Sequence, residues 1–323
     1  MEKKTIKWGI IGLGNIAHKF AEDLATVENA ELVAVASRSQ EKADKFALKY
    51  NSKKAYASYS DLANDAEVDA VYIATPHSFH KENAILCLQN KKAVLCEKPF
   101  AMNLQEVEEM IAVARENNVL LMEALWTYFL PHYTYVLESL KNEKFGKVLK
   151  LEADFGFSST FDNESRLFKK EVGGGSLLDI GVYTIFAALS TLGVPNSIEA
   201  DATFFDNGAD SACNMLFTYN NQKAILKTTL IEDAATEAIF TCERGIIKIN
   251  TMFHMPTTVT ITENGKEETI DFNYKTIGYN FETEHFNNLL RAGKKESDIM
   301  TFDFSKNLIK TLDEVRDLIG LEY

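Results

Sequence analysis

The first residues able to do recognisable chemistry are Gly12-Leu13-Gly14-Asn15-Ile16-Ala17, a GxGxxA run at the end of a short apolar stretch. In such a run the first glycine permits a tight turn, and the second lets the backbone approach a pyrophosphate. Asn15 and Ile16 then open a helix whose N–H groups face the anion, while Ala17 lets that helix lie close to the sheet. A tight strand-to-helix turn with no ligand has the same spacing. Here the strand before, the helix after and a second strand on time favour cofactor binding.

That second strand ends Val35-Ala36-Ser37-Arg38-Ser39. NAD-preferring sites usually place a carboxylate at this point for the ribose 2′-hydroxyl. A hydroxyl at Ser37 and a guanidinium at Arg38 suit a 2′-phosphate instead. The expected cofactor is therefore NADP(H), with NAD possible; the plainer reading of Arg38 is a solvated helix-start residue. Thr75-Pro76-His77-Ser78-Phe79-His80 follows another strand and should flank the dinucleotide, since ligands of open α/β sheets sit at the carboxyl ends of strands. His77 and His80 at i, i+3 hint at a metal. No cysteine or carboxylate cluster accompanies them, so no metal is expected.

These residues need a scaffold, and the chain supplies two kinds of pattern. Ile6–Ile11, Glu31–Ser37, Ala70–Ala74, Ala93–Cys96 and Val119–Ala124 read as short apolar strands. Helical patterns lie between them at Ile16–Val27, Gln40–Tyr50, His80–Gln89 and Leu104–Asn117, the last opened by Asn103 with Glu106 three residues on, close to a capping box. Strands alternating with helices imply parallel βαβ units and a doubly wound α/β sheet. Past Pro131 comes a helix at about His132–Lys141, a strand at Val148–Phe157, and a helix at Leu177–Thr191. Seven more short strands run from Ser197 to Phe272, with turn chemistry at Asn220-Asn221 and Asn264-Gly265. Helices at Tyr279–Arg291 and Ser305–Ile319 close the chain. The expectation is a dinucleotide-binding domain over 1–123 and an α+β domain over 124–323, built on a large, mostly antiparallel open sheet for substrate and dimer contacts.

Composition fits a globular protein. The 323 residues are 46% apolar, enough for two cores, and no apolar run is long enough to span a membrane. Met1-Glu2-Lys3-Lys4 leads straight into a strand pattern, with no signal-peptide core. Cys87, Cys96, Cys213 and Cys242 are far apart and read as buried thiols of a cytoplasmic protein. A net charge of −13 argues against nucleic-acid or anionic-membrane partners.

Glu97-Lys98-Pro99 at the end of the fifth expected strand, with the glycine turn and the Thr-Pro loop, resembles the Gfo/Idh/MocA family of NAD(P)-dependent oxidoreductases. The resemblance covers essentially the whole chain. Met122-Glu123-Ala124-Leu125-Trp126-Thr127, Gly173-Gly174-Gly175 and Asp179-Ile180-Gly181-Val182-Tyr183 are similar to a branch holding dimeric dihydrodiol dehydrogenases and NADP-dependent D-xylose dehydrogenases. It implies that Lys98 points at substrate and nicotinamide, that Glu97 belongs to the same motif, and that the enzyme is a homodimer or higher oligomer. Tyr128 stands where that branch often has arginine.

Oxidising an alcohol needs a base for the hydroxyl proton while hydride leaves. A free phenol titrates near ~10, and a neighbouring ammonium favours its phenolate form. Lys98 and Tyr183 supply such a pair if their elements face one another; otherwise Tyr183 is core in an apolar helix. Asp179, four residues before Tyr183, shares its helix face and could bind a substrate hydroxyl, orient Lys98, or only complement the helix dipole. Arg166 could meet nicotinamide or substrate, or form a loop salt bridge. Trp126 is a candidate wall. Gly173-Gly174-Gly175 should allow close backbone approach. The expected function is NADP(H)-dependent oxidation or reduction of a sugar, polyol or cyclic diol. The alternatives are an NAD-dependent glycosidase and a nucleotide-sensing regulator.

Overall fold

In the computed structural model, which describes residues 4–323, the chain forms two compact units. Met1, Glu2 and Lys3, read above as the lead into the first strand, lie outside the described residues.

The first unit holds β1 (Ile6–Ile11), α1 (Asn15–Leu24), β2 (Ala30–Ala36), α2 (Gln40–Tyr50), β3 (Lys54–Tyr56) and α3 (Tyr59–Asn64). It continues through β4 (Ala70–Ile73), α4 (His80–Gln89), β5 (Ala93–Glu97), α5 (Leu104–Asn117) and β6 (Leu121–Ala124). All six strands are parallel, in the order β3-β2-β1-β4-β5-β6 of a Rossmann sheet. Helices on both faces bury Trp8, Ile10, Ile11, Val71, Tyr72, Val94 and Leu95 almost fully. That is why these strands read as continuous apolar runs. Asn103 caps α5 by accepting from the Glu106 N–H at 2.9 Å, while Glu106 accepts from Met102 N–H at 3.1 Å. The expected capping box thus closes one residue early. β3 and α3 escaped the periodicity reading: β3 has three residues, and α3 is a six-residue helix capped by Ser58.

The second unit opens with α6 (Pro131–Lys141) and β7 (Val148–Gly156), followed by α7 (Val182–Leu192) and β8 (Ser197–Phe204). β9 (Asp210–Thr218), β10 (Lys223–Thr229), β11 (Ala238–Cys242), β12 (Gly245–Ile249), β13 (Val259–Glu263) and β14 (Lys266–Ile270) complete an eight-stranded sheet, ordered β14-β13-β12-β11-β7-β10-β9-β8. Its ladders are antiparallel except β7–β10, which is parallel because a crossover through α7 separates those two strands. Asn264 and Gly265, at φ +50 and +74, make the hairpin turn between β13 and β14. One sheet face buries Leu151, Met215, Phe217, Leu226, Phe240 and Ile247 under α6 and α7. Met215, Phe217 and Leu226 lie on this face because the two-residue period of their strands turns them inward. The stretch Lys170–Leu192 has the length and hydropathy of a membrane span, but 94% of its most apolar 18-residue window is buried in this unit.

One boundary differs from the sequence reading. α8 (Tyr279–Arg291) was grouped with the second domain, yet Lys275–Lys306 clusters with the first unit. Buried Asp23 on α1 explains it, accepting from the N–H groups of Ile277, Gly278 and Tyr279 at 3.1, 2.6 and 2.7 Å. Trp8 adds an indole bond to Asn287 at 3.1 Å and a ring contact with Phe286 at 5.2 Å. The last helix, α9 (Phe302–Ile319), starts in the first unit and ends in the second.

Glu123 on β6 is buried, with one carboxyl oxygen accepting from Phe100 N–H at 3.1 Å. Burial pushes its carboxyl up to about 7, against the opposing pull of Ser305 and Phe100 hydrogen bonds. A raised acid stabilises the fold fully below the ordinary value of 4.5 and loses that contribution as pH climbs through about 7. Glu123→Gln keeps an acceptor for Phe100 without the ionisation. Urea unfolding should show the variant gaining on wild type by roughly 2–3 kcal/mol between about pH 5 and about pH 8. A difference that stays flat across that range would show the carboxyl ionising at its ordinary pH.

Candidate active site

In the first unit the residues singled out by sequence gather along one sheet edge, because parallel strands all end there. Gly12 leaves β1 with φ +86, its N–H donating to the Ala36 carbonyl at 3.2 Å. A Cβ on Gly12 would lie 2.7 Å from the Ala74 carbonyl, so the turn closes only on glycine. Gly14 is exposed and has no atom within 4 Å of where a Cβ would stand. It caps α1 without any side-chain cap, and the first turn of α1, with Asn15 and Ile16, has no acidic residue. Uncapped N–H donors beside open space and no local negative charge are what a pyrophosphate requires. The residues present fit a dinucleotide.

Ser37 follows β2, its N–H donating to the Tyr56 carbonyl at 3.1 Å and its hydroxyl accepting from Ser39 N–H at 3.3 Å. Arg38 is exposed, with its guanidinium 5.9 Å from the Phe79 ring centre. Thr75 and Pro76 lead from β4 into a short 3₁₀ turn carrying buried His77. His80 is fully buried, one ring nitrogen 2.9 Å from the Thr75 carbonyl and the other 2.9 Å from the Pro99 carbonyl. It enters the site as the brace tying the loop after β4 to the loop after β5. No cluster of metal-ligating side chains occurs among the described residues.

Glu97 ends β5, accepting a short hydrogen bond from the Tyr72 hydroxyl and one from Lys98 N–H at 3.2 Å. Tyr72 stacks on Phe20 at 3.7 Å, and burial with the Glu97 charge lifts its phenol well above the ordinary range, so it stays a donor. Glu97 is thus fixed from both sides, and the backbone of Lys98 with it. Trp126 lies just past β6, stacked on Tyr279 at 4.3 Å. Tyr128 packs against Phe304 at 5.2 Å.

In the second unit Arg166 reaches Asp179, Nη1 to Oδ1 at 3.2 Å, so the loop salt bridge is present. Asp179 lies in a single π turn, Leu177–Gly181, that runs into α7, with Tyr183 in the first turn of α7. Such turns are frequent at functional sites. Buried Asp210 anchors the run, accepting from Ser176 hydroxyl and Leu177 N–H, both at 2.7 Å. The glycines before it serve this packing. A Cβ on Gly175 would stand 2.1 Å from Asp210 Oδ1, and one on Gly174 2.6 Å from Lys169 N. Tyr183 is buried against Phe155 at 5.7 Å and against His254 at 4.9 Å, a residue the sequence reading did not single out. His254 lies in an irregular segment between β12 and β13, where periodicity gives no signal.

A parallel dinucleotide-type sheet followed by an antiparallel one, with the glycine turn and Glu97-Lys98 on one edge, defines a nicotinamide-dependent oxidoreductase. Comparison with known proteins fixes the family. Residues 6–125 match the oxidoreductase family with an NAD-binding Rossmann fold, and 133–248 match the GFO/IDH/MocA C-terminal domain. The chain is 36% identical to trans-1,2-dihydrobenzene-1,2-diol dehydrogenase of Xenopus tropicalis, over 98% of this chain and 99% of that one. It is also 36% identical to scyllo-inositol 2-dehydrogenase (NADP(+)) of Bacillus subtilis, over 98% of each. A 3-ketoreductase from Actinomadura kijaniata, in complex with NADP and TDP-benzene, superposes with a TM-score of 0.88 at 27% identity over 98% of each chain. The chain belongs to the Gfo/Idh/MocA oxidoreductase family.

Proposed function

We propose that the protein is an NADP(H)-dependent dehydrogenase of a sugar, polyol or cyclic diol. The observation that carries this reading is the single sheet edge holding the glycine turn, Ser37-Arg38 and Glu97-Lys98. The two similar dehydrogenases bear the names of a cyclic diol and a cyclic polyol, which supports that substrate class. The reading assigns cofactor binding to residues 1–123, and substrate and dimer contacts to the sheet of β7 to β14. Four buried, free cysteines fit a cytoplasmic protein.

The nicotinamide, when bound, supplies the hydride acceptor or donor. The backbone of Gly12 to Ile16 holds the pyrophosphate, and Arg38 with Ser37 binds the 2′-phosphate. Thr75, Pro76 and His77 flank the dinucleotide, with Trp126 as a wall. Lys98 hydrogen-bonds the reacting oxygen of the substrate, and Tyr183 takes or returns its proton. Asp179, held by Arg166, orients a second substrate hydroxyl.

If Arg38 pairs with the phosphate, Arg38→Ala should weaken NADP(H) by about 10- to 100-fold, the ~1.5–3 kcal/mol of a hydrogen bond to a charged group. NAD(H) affinity should hardly move. Titration calorimetry with both cofactors tests this, and equal losses would remove Arg38 from the site.

Tyr183→Phe keeps the ring and deletes the exchangeable proton, so kcat should fall ~10²–10⁴-fold while NADP(H) affinity survives. Lys98→Met should do comparable damage. The double variant should lose far less than the product of the two, because groups acting as one unit are non-additive. NADPH absorbance with a panel of aldoses, inositols and diols reads the turnover. Near-full turnover in Tyr183→Phe would make the tyrosine core.

A homodimer through the open sheet face completes the reading. Leu216, Ile225, Glu152 and Ile239 stand in one row across β9, β10, β7 and β11, and Ile225 is 42% exposed. Apolar side chains on an otherwise charged, uncovered face suit a two-fold contact. Light scattering should give twice the chain mass, and Ile225→Lys should halve it; a wild-type monomer at micromolar concentration would defeat this assignment.

A further inference from the structure

We propose that His254 is a positioning residue for Tyr183, fixing the direction of its phenol by ring packing. This rests on the acid–base reading of Tyr183 given above. In the first turn of α7, helical backbone limits the χ1 of Tyr183 to two wells. What flanks the ring then decides between the wells and sets the ring plane. Phe155 and His254 are among the side chains that do so. Phe155 of β7 lies 5.7 Å from the Tyr183 ring centre at 41°, and His254 lies 4.9 Å away at 46°. The two flanking rings stack on each other at 4.2 Å and 27°, so His254 is backed by the sheet.

A positioning ring must itself be held, and the segment carrying His254 has no regular structure to hold it. Three backbone groups do so instead. Phe253 is fully buried, and its N–H donates to the Thr236 carbonyl at 3.0 Å. Its carbonyl accepts from His132 Nε2 at 3.0 Å. Met255 N–H closes a turn on the Met252 carbonyl at 2.7 Å. Burial holds the His132 imidazole down to about 4, so the ring is neutral and carries one proton. With Nε2 donating to Phe253, Nδ1 must accept, and the Tyr274 hydroxyl 2.6 Å away is its donor. That hydroxyl in turn accepts from His132 N–H at 3.0 Å. One proton arrangement satisfies every group, and it ties His254 to α6 through Phe253.

The chain Tyr274, His132, Phe253, His254, Tyr183 therefore ends on the phenol that the mechanism uses. As a positioning residue, His254 should act on turnover through Tyr183. His254→Ala removes the flanking ring. Misplacement of a reacting group by about an ångström can cost ~10²-fold, so kcat should drop by about 10- to 100-fold with NADP(H) affinity unchanged. His254→Phe restores a flat ring on Phe155 and should recover most of that loss. His254→Leu, which fills the space without a flat face, should stay low and serves if the alanine variant folds poorly. In the Tyr183→Phe background, His254→Ala should change kcat little.

A readout free of turnover comes from 3-fluorotyrosine labelling of the protein, with the Tyr183 resonance assigned by its absence in Tyr183→Phe. That line should be single in wild type and His254→Phe, and split or broadened in His254→Ala. If Tyr183→Phe is impaired while His254→Ala turns over normally, or if His254→Ala costs as much in the Tyr183→Phe background as alone, this inference is overturned and the acid–base reading stands. Full turnover in Tyr183→Phe would overturn both.

Discussion

A side chain on Gly12 would have to occupy space 2.7 Å from the carbonyl of Ala74, at a φ of +86 that side chains resist. The dinucleotide half hangs on that approach. β1 and β4 run parallel with Ile11 opposite Ile73, and Ala74 N–H donates to the Ile11 carbonyl at 2.8 Å. The backbones after the two strands therefore leave the sheet in contact. From there the order is forced: Thr75 takes its place beside Gly12, His80 joins Thr75 to Pro99, and Glu97 and Lys98 follow on the neighbouring strand. The turn is chosen for packing as much as for a ligand. Gly14, two residues on, is the complementary case: no atom lies near its missing Cβ, which leaves open space at the start of α1.

The second unit repeats this logic with other residues. Gly175, at φ +125, lets the chain pass against Asp210, whose carboxylate then takes the first donors of the helical run at Ser176 and Leu177. Thr228 closes the set on Ser176 at 2.9 Å. A buried carboxylate at a helix start gains from both the free N–H groups and the dipole, and here the price is a group whose pKa burial raises. Asp179 and Tyr183 ride on that run. Their directions follow from how Asp210 and the π turn seat it.

Much of this was legible in the sequence, and the parts that were not share a cause. α2, α4, α5 and α8 begin and end where their patterns do, and in α2 and α5 a capping side chain, Ser39 and Asn103, marks the start as a local signal. β3, a three-residue strand, is too short to show a period. The placing of α8 with the first unit turns on Asp23, 254 residues before Ile277, and no local pattern announces such a cap. The same holds for the site. Motifs announced the glycine turn, Glu97-Lys98 and Tyr183, whereas Asp210, His132 and His254 matter through contacts made by long-range folding. The inward turn of Met215, Phe217 and Leu226 was available from alternation alone, since Leu216 and Ile225 between them must then face out.

A chain of net charge −13 that binds an anionic cofactor must keep its acids off the anion. Among the described residues the first unit buries four carboxyls, Asp23, Glu97, Glu123 and Glu282, and treats each differently. Asp23 accepts three backbone N–H bonds. Glu97 takes the Tyr72 hydroxyl and the Lys98 N–H. Glu123 takes Phe100 N–H and is pushed up to about 7 by burial. Glu282 is fully buried with no hydrogen-bond partner for either oxygen among the described residues, and burial with the Glu97 and Asp23 charges drives its pKa well up. Burial thus favours the neutral form of Glu282. The first turn of α1 is also free of acids, so the partial positive charge of its helix N-terminus is not opposed from within that turn.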